Sequence, residues 1–116
     1  MPEIIYLDYE PQLNPLDDDF GVAKTIVMQL SMSIKLGLSL RQFKIVPGGL
    51  IGTLGPKGTT IRVQIILNRG QDLYEVSVGR QSRKTGAYNW PYYRTGIYCD
   101  QLSEVIKFGF DEVYGA

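Results

Sequence analysis

The chain has 116 residues, 44% of them hydrophobic and 21% charged, with twelve basic and twelve acidic side chains, one cysteine and no histidine. A chain of this size buries about two-thirds of its unfolded surface, which suits one globular domain without metals or disulfides and argues against disorder. Without histidine, Ser-His-Asp and Cys-His catalysis are excluded, and a lone cysteine, Cys99, excludes an internal disulfide and fits a reducing cytosol.

Met1-Pro2-Glu3-Ile4 lacks the basic and then apolar pattern of a secretory signal, so a cytoplasmic protein is expected. Residues 1–19 read as an acidic arm and 20–114 as the core of a single domain. Residues 3–9 suit a short strand or a packed arm, and Pro11 and Pro15 then break the chain. Asp17-Asp18-Asp19 resembles a helix start, where carboxylates accept free amide hydrogens. Phe20, Ala23, Val27, Leu30 and Ile34 form a helical stripe that predicts a helix over about 20–36. A competing period runs through Met28, Leu30, Met32, Ile34, Leu36, Leu38 and Leu40, which alternate as in a strand. Gln29, Ser31, Ser33 and Lys35 interrupt this stretch, so it does not read as a membrane span.

Gln42 to Val46 reads as a strand closed by Pro47-Gly48-Gly49, and Leu50 to Leu54 as a short strand or loop ended by Gly55-Pro56-Lys57-Gly58. The clearest local signal is a hairpin in which Ile61, Val63, Ile65 and Leu67 alternate with Arg62, Gln64 and Asn68, followed by alternating Tyr74, Val76 and Val78. Pairing Gln64 with Glu75 sets Ile61 against Val78, Val63 against Val76 and Ile65 against Tyr74 on one apolar face. Residues 80–96, with Gly86, Pro91 and Gly96, read as irregular. A last helix from an N-cap at Asp100, with its stripe at Leu102, Val105, Ile106, Phe110 and Val113, would cover the hairpin face. The expected fold is α+β: a small antiparallel sheet of three to four strands with an N-terminal and a C-terminal helix packed on it.

Ile65-Ile66-Leu67-Asn68, then Asp72-Leu73-Tyr74-Glu75-Val76, then Gly96-Ile97-Tyr98-Cys99-Asp100-Gln101-Leu102 form a recognisable series. It resembles small uncharacterised proteins of bacteriophages and prophage-like elements, which carry an "ITLN…DLYDV" strand pair followed by "GVYADML". With Gly37 and Arg41 to Val46 matched to an earlier strand, the resemblance spans about residues 26–114. It implies a small sheet with flanking helices and no particular activity. The acidic N-terminal extension and the aromatic stretch between Arg80 and Gly96 depart from that pattern.

The charges are unevenly distributed. Residues 1–40 carry a net −4, residues 41–94 a net +7 and residues 95–116 a net −3. Two layouts are open: the acidic ends neutralise the basic middle, or the middle is left free to meet phosphates or an acidic partner. Other candidate chemistry is weak. Cys99 before a helix start suits a packing residue better than a reactive thiol, and Asp17 to Asp19 suit capping better than Mg²⁺. Gly48 to Thr60 fails as a phosphate loop because Lys57 is followed by glycine and the segment leads into a strand. The most suggestive stretch is Arg80 to Arg94. There Arg80, Arg83, Lys84 and Arg94 accompany Tyr88, Trp90, Tyr92 and Tyr93, a mixture suited to stacked bases and phosphates or to a protein interface. The bland reading is that these rings pad the sheet. The function expected is a non-enzymatic binding module for nucleic acid, or else for a protein partner or a second copy of itself. No metal, cofactor or membrane is implied.

Overall fold

Five stretches rich in β-branched and aromatic residues pair in sequence order, each with the next. The computed structural model describes residues 18–30, 37–68 and 70–115, with side chains from residue 21 onward. Strands β1 (Arg41–Val46), β2 (Gly49–Thr53), β3 (Ile61–Asn68), β4 (Leu73–Gln81) and β5 (Tyr88–Ile97) form an antiparallel meander in the order β1-β2-β3-β4-β5. Helices α1 (Asp18–Gln29) and α2 (Leu102–Tyr114) flank it, and a 3-10 turn, Cys99–Gln101, leads into α2. The class is α+β as expected, with five strands in place of three to four. Residues 1–17 of the acidic arm fall outside the described residues, as do residues 31–36 of the helix-or-strand stretch, while Asp18 and Asp19 open α1.

The extra strand is β5, within the segment read as irregular. Proline lacks the N–H that a central strand needs, but β5 is the edge of the sheet, where Pro91 is tolerated. The β3–β4 register also differs from expectation. Val63 pairs with Val78, Ile65 with Val76 and Leu67 with Tyr74, while Ile61 meets Arg80. The shift of two residues follows from a four-residue turn in place of a two-residue one. Asn68 Oδ1 accepts the Gly70 N–H at 3.1 Å, and Asp72 adopts a left-handed φ of 55°. Because the shift is even, every side chain keeps its expected face.

One face is the core. Leu50, Ile61, Val63, Ile65, Val76 and Val78 are fully buried there against Ala23 and Ile26 of α1 and Leu102 and Ile106 of α2. Helix α1 packs on β1 and β2, and α2 on β3, β4 and β5. Asp100 does not cap α2, because the 3-10 turn moves the N-cap to Gln101. Gly109 lets α2 lie close to the sheet: a Cβ there would stand 2.6 Å from both Tyr92 Cδ1 and Val78 Cγ2.

Candidate functional site: the sheet face opposite α1 and α2

Neither helix covers the opposite face, and its residues follow from strand alternation: Ile51 and Thr53 of β2, Arg62 and Gln64 of β3, Glu75 and Ser77 of β4. Two bulges add to it. In β1, Arg41 pairs with Thr53 but Lys44 with Ile51, so one extra residue is accommodated, with Gln42 at φ 57°. A regular strand would put Arg41 and Lys44 on opposite faces; the bulge puts both here. In β5, Asn89 pairs with Arg80 and Tyr92 with Val78, leaving Trp90 and Pro91 opposite Gly79. That irregularity brings Tyr88, Trp90 and Tyr93 to the same face and sends Tyr92 to the other.

The face is concave. Lys44 Nζ donates to the Tyr88 hydroxyl at 2.6 Å and lies 5.2 Å from that ring's centroid. Their strands are the two edges of the sheet, which would stand roughly 19 Å apart if it were flat, at about 4.8 Å per strand. The Tyr88 and Trp90 rings stack at 5.2 Å with 9° between planes. Both are half-buried, and Ile51, Thr53 and Ser77 on this face are buried although neither α1 nor α2 lies over them.

Cations gather at one end. Arg62 donates through Nε to Gln81 Oε1 and through Nη1 to the Thr59 and Ile61 carbonyls, each at 3.1 Å. Burial holds its guanidinium below the ordinary value; Arg41 and Arg83 nearby push the same way, against the influence of Tyr88. Arg41 donates to the carbonyls of Ser39 and Gly55 at 2.7 and 2.8 Å, and Arg83 to that of Gly58. At the other end Tyr93, about half exposed, donates to Glu75 Oε1 at 2.7 Å, which raises the phenol above its usual value.

The eight residues singled out in Arg80 to Arg94 therefore separate. Tyr88, Trp90 and Tyr93 share the face opposite α1 and α2, with Arg83 at its end. Lys84 is exposed in the β4–β5 turn. Arg80 lies on the helix side, donating to the Val113 carbonyl at 3.4 Å near the C-terminus of α2. Tyr92 is buried beneath α2, and Arg94 lies 4.3 Å from its ring centroid. Sequence reasoning missed Arg41, Lys44, Lys57 and Arg62 as site residues. Their signal was the positive middle of the chain and, for Lys57, the glycine-rich Gly48 to Thr60 segment set aside as a phosphate loop; the bulge and the curl that assemble them join residues distant in sequence.

Among the described residues no group of three Cys, Asp or Glu could hold a metal ion, and no helix is long and apolar enough to cross a membrane. Comparison with protein-family models, curated proteins and solved structures returns no match for this chain. The likeness to phage and prophage proteins rests on the residues quoted for it alone.

Proposed function

We propose that the protein is a non-enzymatic binding module whose sheet face opposite α1 and α2 takes single-stranded nucleic acid. The observation that carries this reading is the stacked Tyr88–Trp90 pair on a concave face whose cations, Lys44, Arg62, Arg83 and Arg41, outnumber its one described carboxylate, Glu75. A base adding to the indole on the side away from Tyr88 would extend an existing stack, and aromatic stacking is worth roughly 1–3 kcal/mol per base whatever the base. The neighbouring guanidiniums and ammonium then meet the backbone phosphates. Sequence-specific readout is not part of the proposal. The likeness to phage and prophage proteins suggests an accessory role in such an element.

Trp90 is the only tryptophan, so its fluorescence reports on this face directly. Titrating unlabelled oligothymidylate at low salt is expected to quench it with saturation, and Trp90→Phe should lose the signal. An unchanged emission together with unchanged amide spectra would remove nucleic acid as the ligand. Tyr, Trp and Arg also dominate protein hot spots, so a protein partner on the same face is the alternative. Light scattering and pull-down with wild type against Tyr93→Ala address it.

A further inference from the structure

Beyond the stacked rings, the cationic end of the face holds an open hollow of about 660 Å³ between the β2–β3 loop, the start of β1 and the β4–β5 turn. Arg41, Lys57, Arg62 and Arg83 line it with the hydroxyl-bearing Thr53 and Thr59, and none of its described lining residues is a carboxylate. Four cations around one hollow repel one another, and Arg62 is half-buried, where an unpaired charge is costly. Folded proteins normally answer such a cluster with carboxylates. Here backbone carbonyls do so: those of Ser39, Gly55 and Pro56 for Arg41, of Thr59 and Ile61 for Arg62, and of Gly58 for Arg83.

Those bonds fix where the guanidiniums point without neutralising them. They also leave donors over. Arg62 uses Nε and Nη1, and among the described residues no acceptor meets its Nη2. Preorganised guanidiniums with spare N–H groups are the arrangement that recognises phosphate oxygens. The charge of the pocket selects the kind of phosphate. An internal phosphodiester brings a single negative charge, whereas a terminal phosphate monoester brings about −1.5 to −2 at neutral pH and three acceptor oxygens. The volume is in the range that holds a small ligand, so the phosphate can enter with the sugar that bears it.

We propose that this pocket binds a phosphate monoester, carried by the end of a nucleic-acid strand or by a small phosphorylated molecule. The pocket goes beyond the sheet-face reading and does not depend on it, because its own cations supply the recognition.

The test pairs inorganic phosphate, followed by amide chemical shifts, with two octathymidylates differing only in a 5′-phosphate or a 5′-hydroxyl. Phosphate at millimolar concentration is expected to move the Gly55, Gly58 and Thr59 amides with saturation. The 5′-phosphorylated strand is expected to bind about tenfold more tightly, the equivalent of one charge-assisted contact. Arg62→Gln should abolish that difference, and Lys57→Gln, a change at an exposed loop position that tolerates it, should reduce it if the first variant fails to fold. Equal affinity for both strands and no saturating shifts at the pocket would overturn the proposal while leaving base stacking on the sheet intact. Shifts spread evenly over all surface lysines and arginines would overturn it as well. Saturating pocket shifts without binding of either strand would uphold the pocket, identify a small phosphorylated molecule as its source, and dispose of the strand-binding reading.

Discussion

Single side chains decide how close the helices come and how the sheet responds to alkali. Gly109 marks a close approach of α2 to the sheet, because a methyl group there would meet the Tyr92 ring and the Val78 methyl at 2.6 Å. Gly109→Ala is expected to cost about 1–3 kcal/mol, the usual penalty of overpacking, read as a lower urea midpoint at constant slope. Tyr74 is buried and donates to Gln29 Oε1 at 2.7 Å. Burial, reinforced by Cys99 and Asp72, holds its phenol above the ordinary value. A raised phenol keeps its proton in the folded state after the unfolded chain has lost it. The resulting stability is therefore complete below about pH 10, the unfolded value, and is lost as pH rises through the folded one. Tyr74→Phe should show a shallower loss of stability above that pH, measured by urea titration at pH 8 and in the alkaline limb; identical limbs would mean that Tyr74 titrates as it does unfolded.

Elements whose period is local were legible in the sequence. The β3–β4 alternation gave each residue its face, and the stripe Leu102, Val105, Ile106, Phe110 and Val113 is the buried side of α2. What the sequence hid is non-local. Pro91 reads as a strand breaker until β5 is known to be an edge. The hairpin register depends on a left-handed Asp72 that no alternation announces, and the bulge at Gln42 reverses the side on which Arg41 emerges. The turn offers a direct check: Asn68→Ala removes the acceptor for the Gly70 N–H and should cost about 0.5–1.5 kcal/mol. Within α2, Ile106→Ala removes a fully buried side chain that covers the sheet, and a loss of about 2–5 kcal/mol is expected by chemical denaturation. A loss no greater than a surface change would mean that α2 does not seal this core.

At the scale of the whole molecule, a net charge of zero conceals a positive middle, five of whose cations the fold gathers on one face: Arg41 and Lys44 from the β1 edge, Arg62 from β3, and Lys57 and Arg83 from two loops. The stretch Arg80 to Arg94 that stood out in the sequence supplies the rings and Arg83, whereas Arg41, Lys44, Lys57 and Arg62 come from elsewhere in the chain. Rings and cations contribute differently to strand binding, and salt separates them. Displacing counterions from a single strand makes the logarithm of affinity fall with the logarithm of salt concentration by about 0.7 per phosphate neutralised. If Lys44, Lys57, Arg62 and Arg83 each meet one phosphate, the slope should be about −2.8. Lys44→Ala and Lys57→Ala should each make it shallower by about 0.7. Trp90→Ala should instead lower affinity by roughly 1–3 kcal/mol, as one lost stacking contact, and leave the slope unchanged. Measured by fluorescence anisotropy of a labelled oligothymidylate, a flat salt dependence would show that the cations do not reach the backbone. A slope that moves with Trp90 but not with the lysines would reverse the division of labour argued from the geometry.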